Sequence, residues 1–309
     1  MNKTIFSLAF LFVSIIAGAQ VITQIGKENM KIPVGERPDE QPVDKRDFNV
    51  QLDTTSVYYT YLDSAQTSIE QQDWASAEHW LRQALAFDAS NSANSMLLSN
   101  LATVQRYEGK LDEALKNYTL ALDITPNAVT LLLNRAALLL QLGRTEQAVT
   151  DYERVSILDD KDVESRYSLG MIAVEQRDFS RAETMFNEIR RIKSTSALAD
   201  EGMGFLYKEK GDFERAIEHL SVVIKSRVDA HLLGNRADCY LALKRLNDAS
   251  ADIKAALEID PDDGYLYLLR AKLNKLRYNR EDMGRDIELA ESHGVDGEII
   301  KNMLEISPK

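Results

Sequence analysis

The chain has 309 residues, with 49 acidic side chains against 37 Lys and Arg and a formal net charge of −12. That balance argues against nucleic acid, whose phosphates are bound by clustered Lys and Arg that displace counterions. It favours a well-solvated monomer over a dimer, or else a basic partner. A single cysteine, Cys239, excludes an intramolecular disulfide framework, so stability has to come from packing.

Met1-Asn2-Lys3 makes a short positive start, and Ile5 to Ile16 is an apolar run broken only by Ser7 and Ser14. Ala17-Gly18-Ala19 then supplies small residues for cleavage, so residues 1–19 have the order of a secretory signal peptide. The run is short of the roughly 20 residues a spanning helix needs. The expectation is an exported protein, periplasmic or associated with the outer envelope, with secretion an open alternative. Residues 20–57 follow, with Pro33, Pro38 and Pro42 and no sustained period. Such a stretch buries too little apolar surface to offset its ordering entropy, which predicts a flexible linker.

From about Val57 the chain repeats itself. Small residues recur at Ala65, Ala102, Ala136, Gly170, Gly204, Ala237 and Ala271, in steps of 37, 34, 34, 34, 33 and 34. Twelve residues after each stand Ala77, Ala114, Ala148, Ala182, Ala216, Ala249 and Met283. Four further on is a large apolar residue (Leu81, Tyr118, Tyr152, Phe186, Leu220, Ile253, Ile287), and three more give Ala84, Ala121, Val155, Ile189, Val223, Ala256 and Ala290. Offsets of four and three put these last three series on one helical face. Turn signals such as Gly109-Lys110, Gly143-Arg144 and Gly211-Asp212 separate the first series from the second. Each unit therefore reads as helix, tight turn, helix. Small residues let two helix backbones approach, and one such hairpin must stack on neighbours to bury its apolar face.

This pattern resembles the tetratricopeptide repeat. Leu111-Asp112-Glu113-Ala114 closing on Thr125-Pro126 fits it, as does Leu246 to Ala249 with Asp260-Pro261. Seven repeats are counted: 58–91, 95–128, 129–162, 163–196, 197–229, 230–263 and 264–297. The resemblance implies an all-α, right-handed superhelical solenoid. Residues 298–309 are expected to form a short capping helix and tail, since Ile299, Ile300, Met303 and Leu304 fall at helical spacing.

No constellation for catalysis emerges. The four histidines, His79, His219, His231 and His293, form no metal-binding spacing, and no Gly-rich phosphate loop is present. Asp260-Pro261-Asp262-Asp263-Gly264 fails as a calcium loop, because the Gly and Glu positions hold Tyr265 and Ala271. The expectation is a protein that is not an enzyme and takes no cofactor and no metal.

In the family that the chain resembles, positions 2, 5, 9 and 12 of the first helices line a concave groove, and three- and four-residue spacing makes them one face. Read onto this sequence, that face and its neighbours offer Tyr107, Leu133, Asn134, Leu140, Tyr167, Met171, Val174, Phe205, Lys208 and Asn235 as candidate partner-binding residues. An apolar patch of this kind marks an interaction site or else is core, and the pattern leaves both open. Some family members hold a terminal carboxylate with Lys, Asn and Arg. Asn100, Asn134 and Asn235 stand at the matching Asn position, but Ser99, Thr103, Glu164, Ser168, Glu201, Phe205, Tyr265 and Leu269 replace the rest. The resemblance thus implies a protein-binding scaffold or adaptor whose partner is another protein or peptide, an apolar or helical segment carrying basic residues. The alternative is a glycan-binding or envelope-assembly accessory protein.

Overall fold

The computed structural model describes residues 54–87 and 94–304. The leader expected at 1–19, most of the linker expected at 20–57, and the tail after Leu304 lie outside the described residues.

Fifteen helices and no strand occur among the described residues. They are α1 (Thr54–Glu70), α2 (Trp74–Phe87), α3 (Asn94–Tyr107), α4 (Leu111–Ile124), α5 (Val129–Gln141), α6 (Thr145–Leu158), α7 (Glu164–Glu175) and α8 (Phe179–Ile192). Then come α9 (Ala197–Lys210), α10 (Phe213–Ser226), α11 (Ala230–Ala242), α12 (Leu246–Ile259), α13 (Gly264–Leu276), α14 (Arg280–Ser292) and α15 (Gly297–Met303). α1 begins at Thr54, four residues before the start of the first counted repeat. Odd and even helices pair in sequence as hairpins, α1 with α2 through α13 with α14.

The same turn closes all seven hairpins. Its central residue is left-handed each time, with φ between 58° and 78°: Gln72, Gly109, Gly143, Arg177, Gly211, Lys244 and Tyr278. The next amide reaches back five residues, as in Lys110 N–H to Gln105 O (2.8 Å) and Asn279 N–H to Asn274 O (2.9 Å). This arrangement satisfies carbonyls that a helix end leaves unpaired. Four side chains then cap the following helix: Asp73, Asp178, Asp212 and Asn279 accept from the backbone N–H of Ser76, Arg181, Arg215 and Asp282.

The chain divides into two compact units, split between Ser165 and Arg166. In the first, Ala65, Ala77, Leu81 and Ala84 pack with Leu97, Leu101 and Val104. Further along, Ala102, Ala114, Tyr118 and Ala121 pack with Leu131, Leu132, Leu138 and Val155. In the second unit Ala182, Phe186, Ile189, Ala216, Leu220, Val223, Ala249, Ile253 and Ala256 are buried. A Cβ on Gly170 or Gly202 would fall 2.4 or 2.3 Å from Phe186 Cε1. Those two positions are Gly because the ring of α8 lies directly on the backbones of α7 and α9. At the end of this unit α15 folds back, and Ile300 and Leu304 pack with Leu268, Ala271 and Ala290. The last hairpin's apolar face is covered there by α15.

Candidate functional site

The stripe of first-helix residues has different character in the two units. In the unit ending at Ser165, α3 and α5 leave a partly open apolar face. Met96 is 44% exposed, and Leu133 and Leu140 are half-buried. Polar groups border it: Arg106 Nε donates to Gln141 Oε1 (2.9 Å), tying the end of α3 to the end of α5. Ser99 and Asn134 are half-buried and Thr130 is exposed on the same helices. Tyr107 lies flat against Trp74, with ring centroids 4.7 Å apart and planes 14° apart, and burial pushes its phenol up to about 12. Its role there is to pack the second hairpin against the first. Trp80 is likewise engaged, stacked on Tyr61 at 5.9 Å. Neither indole stands free as a platform for a sugar ring.

In the unit starting at Arg166 the stripe is closed. Tyr167, Met171, Val174 and Phe205 are all buried. Tyr167 donates its hydroxyl to Glu201 Oε1 (3.2 Å), and Arg227 Nη2 donates to Glu201 Oε2 (2.8 Å). Burial pushes the Glu201 carboxyl up, against the opposing pull of Arg227. Lys208 Nζ donates to Asn235 Oδ1 (2.8 Å) and lies 3.3 Å from Asp238, which also accepts from Lys272 Nζ (2.9 Å). Burial would raise Asp238, yet Lys208 and Lys272 outweigh it and hold the carboxylate low. Asn235 itself is buried, and its Nδ2 donates to the His231 carbonyl (2.9 Å). Lys208 and Asn235 thus sit in a network whose charges and hydrogen bonds are met within the chain. His231, pressed against Phe205 at 5.6 Å, is held neutral because burial pushes it down to about 4.

Sequence reasoning missed a recurring ion pair. Arg135 meets Asp151, Arg236 meets Asp252 and Arg270 meets Asp286, always sixteen residues apart, across one hairpin. Each Asp is buried and each Arg partly exposed. The signal was present as Arg immediately before the small residue of the first series, in Asn134-Arg135-Ala136, Asn235-Arg236-Ala237 and Leu269-Arg270-Ala271. Two open hollows of about 320 and 360 Å³ lie beside two of these pairs, at Arg135–Asp151 and at Arg270. The guanidinium groups of Arg135 and Arg270 are already paired across their hairpins, and Arg144 lines the first hollow as well and Lys254 the second. Among the described residues no three His, Cys, Asp or Glu side chains converge to hold a metal. No described helix is long and apolar enough to cross a membrane.

Stacked helical hairpins with a small-residue crossing and a shared turn define a helical repeat protein of the class that presents surfaces to other proteins. The comparisons make this specific. The family profile described as tetratricopeptide repeat matches residues 99–161, 133–197 and 207–273. A tetratricopeptide repeat protein of known structure from Parabacteroides merdae is 32% identical, with a TM-score of 0.70 over 81% of this chain and 98% of that one. The chain belongs to the tetratricopeptide repeat family. Among curated relatives, the DnaJ homolog subfamily C member 7 homolog of Dictyostelium discoideum is 25% identical over 274 residues. That alignment covers 80% of this chain and 50% of the relative. A co-chaperone with tetratricopeptide repeats and a J domain from Cryptococcus neoformans is 24% identical over 52% of this chain and 33% of its own length. The chain therefore spans half or less of these relatives. The fold also matches a chain of the APC/C hetero-tetramer Cut9-Hcn1, at 13% identity and a TM-score of 0.65 over 83% of this chain and 53% of that one. Proteins of this family bind other proteins or peptides and are generally non-catalytic scaffolds.

Proposed function

We propose that this chain is an exported, non-catalytic scaffold that holds a partner peptide or helix on the first-helix face of its N-terminal unit. The observation that carries the reading is the face of α3 and α5, where Met96, Leu133 and Leu140 keep apolar surface in contact with water. Apolar surface rimmed by polar side chains marks an interaction site on a soluble protein. Arg106, Gln141, Ser99 and Asn134 supply that rim. An apolar or helical segment fits the face, and basic residues in it suit a chain of net charge −12. Export rests on the leader read at residues 1–19, and the proposed location is the periplasm or the outer envelope, with secretion the alternative.

The test is site-resolved cross-linking. A photoreactive residue is placed at Met96 or Thr130 on this face, or at Ile157, which is 82% exposed and lies outside the stripe. A partner that cross-links from Met96 and Thr130 but not from Ile157 supports the reading. The same partner cross-linking from Ile157 and from neither groove position overturns it.

A further inference from the structure

A different surface, at the opposite end of the chain, carries chemistry that partner binding in the groove leaves unused. Residues 264–280, which form α13 and its turn, contain five basic side chains and no acidic one, in a chain of net charge −12. The turn places several of them on one edge with those of the preceding hairpin. Arg277 reaches back to the earlier turn, where its Nη2 donates to the Leu246 carbonyl (3.2 Å) and its Nη1 to Ser250 Oγ (3.5 Å). That brings Lys244 and Arg245 beside Arg277, Tyr278 and Arg280. Lys275 adds a further cation, its Nζ donating to the Leu304 carbonyl. The nearby carboxylates are already engaged: Asp248 with Arg245 (2.8 Å), and Glu281 and Asp282 with Arg285 (2.9 and 3.0 Å). Among the described residues Arg277 and Lys275 bond neutral acceptors, and Lys244 and Arg280 face solvent. Six cations (Lys244, Arg245, Lys275, Arg277, Arg280 and Arg285) therefore face three carboxylates along the edge, an excess of three, since Glu281 and Asp282 share Arg285.

At its tip stands Tyr278, 93% exposed and left-handed at φ 60°. Three other hairpins put Gly at this place. A Tyr here incurs the backbone cost that Gly avoids and buries none of its ring in the chain. Neither packing nor conformation accounts for it. An amphipathic ring that projects into solvent from a turn edge with excess positive charge matches a flat anionic surface with an apolar layer beneath it.

We propose that the turn edge formed by Lys244, Lys275, Arg277, Tyr278 and Arg280 is a docking surface for an anionic phospholipid bilayer. The cations meet the headgroup phosphates, and the Tyr278 ring enters the headgroup layer. The acidic bulk of the chain does not oppose this at physiological salt, because screening confines the interaction to about 8 Å around the tip.

The test uses the full chain carrying Asn247→Cys, an exposed position on the same edge. Cys239 is buried, so only the new thiol takes an environment-sensitive fluorophore. Labelled protein is titrated with phosphatidylcholine vesicles and with vesicles of phosphatidylcholine and phosphatidylglycerol in equal parts. The expected result is a fluorophore shift with the anionic vesicles alone, reversed by salt. Lys244→Glu with Arg280→Glu should weaken it by roughly tenfold or more. Tyr278→Gly should weaken it severalfold while leaving the thermal midpoint unchanged or raised, which separates lost docking from lost folding. Equal response to both vesicle types, or no response, overturns the proposal. So do variants that dock like the wild type, a shift produced by a polyglutamate peptide but not by vesicles, and a shift that follows self-association without lipid. None of these outcomes bears on the groove cross-links, which report a different face.

Discussion

Phe186 offers the sharpest check of the packing argument, because its ring fills the space of two absent side chains. It is fully buried on α8, between Gly170 on α7 and Gly202 on α9. An alanine methyl at Gly202 would sit 2.3, 2.5 and 2.6 Å from three ring carbons, against the ~3.5–4 Å of ordinary contact. The ring cannot swing aside as a long flexible side chain could, so α8 and α9 must separate. Overpacking of this kind costs about 1–3 kcal/mol. Replacing a mid-helix glycine by alanine independently stabilises by about 1 kcal/mol. Gly202→Ala should therefore end between neutral and about 2 kcal/mol destabilised. Gly284, inside α14 with nothing within 4 Å of its added Cβ, isolates the backbone gain. Gly284→Ala should stabilise by up to about 1 kcal/mol. Both glycines lie in the unit starting at Arg166, and urea unfolding of each variant followed by circular dichroism gives the comparison. Phe186→Leu in the Gly202→Ala background should recover part of the loss, a positive coupling between contacting residues. If Gly202→Ala shifts the urea midpoint upward as far as Gly284→Ala does, the ring is not the reason for the glycine and the reasoning fails.

Other perturbations probe the charges. Glu78 accepts from Lys110 (2.5 Å), Gln105 (2.8 Å) and Arg82 (2.7 Å). Burial would raise its carboxyl, but these donors outweigh burial and bring it down to about 2 from 4.5. A depressed carboxylate contributes stability that is fully present above pH 4.5 and lost as pH falls towards 2. Lys110 and Arg82 are substantially exposed, so solvent screening reduces the contribution to about 1–2 kcal/mol. Glu78→Gln should flatten the acid limb of a stability profile in that window, and an unchanged limb would assign it to other carboxylates. Asp286→Ala, which strips Arg270 of its buried partner and Asn274 of its acceptor, should cost about 2–4 kcal/mol by urea unfolding. A loss within ~0.5 kcal/mol would show the repeated Arg–Asp pairs to be ornamental. Cys239 is buried, with its thiol pushed up to about 12 by burial. It should resist a thiol reagent at neutral pH in the native protein and react fully in denaturant; rapid native labelling would contradict the packing of α11.

The hairpins could be read from the sequence because their signals are local. The series through Ala102, Ala114, Tyr118 and Ala121 repeats at spacings set by helix geometry alone, and every one of these residues is buried. The left-handed turn position was legible only where Gly marked it. At Arg177, Lys244 and Tyr278 the same conformation is imposed by the hairpins on either side, so residue type gave no warning. The Arg–Asp pairs were harder still. A sixteen-residue separation has no meaning within one helix and becomes contact only when two helices cross at a fixed register.

The groove stripe shows where periodicity stops deciding. Leu133 and Leu140 on α5 share their spacing with Tyr167 and Val174 on α7, thirty-four residues on. Yet the first two keep contact with water while the second two are buried. A spacing of three or four says that residues share a helical face, and nothing in it says how closely the next first helix approaches that face. That approach depends on side-chain size at the crossing. On α7 and α9, Gly170, Gly202 and Gly204 draw the backbones onto Phe186 and Leu220. α5 carries Ala136 at the place that Gly170 and Gly204 occupy on α7 and α9. A methyl group at a helix crossing limits how closely two backbones pack, yet Ala237 and Ala271 stand at the same place on α11 and α13, where the stripe residues Leu241 and Leu268 are buried. The residue at the crossing therefore does not by itself decide whether the stripe is open, which also depends on what the neighbouring helices bring against it. Ala136→Gly should therefore destabilise the chain by about 1 kcal/mol in urea unfolding, the cost of glycine inside a helix, while a photoreactive group at Leu140 keeps its labelling. Reduced labelling at Leu140 in a variant that stays folded would refute this and make the crossing residue the control of the groove.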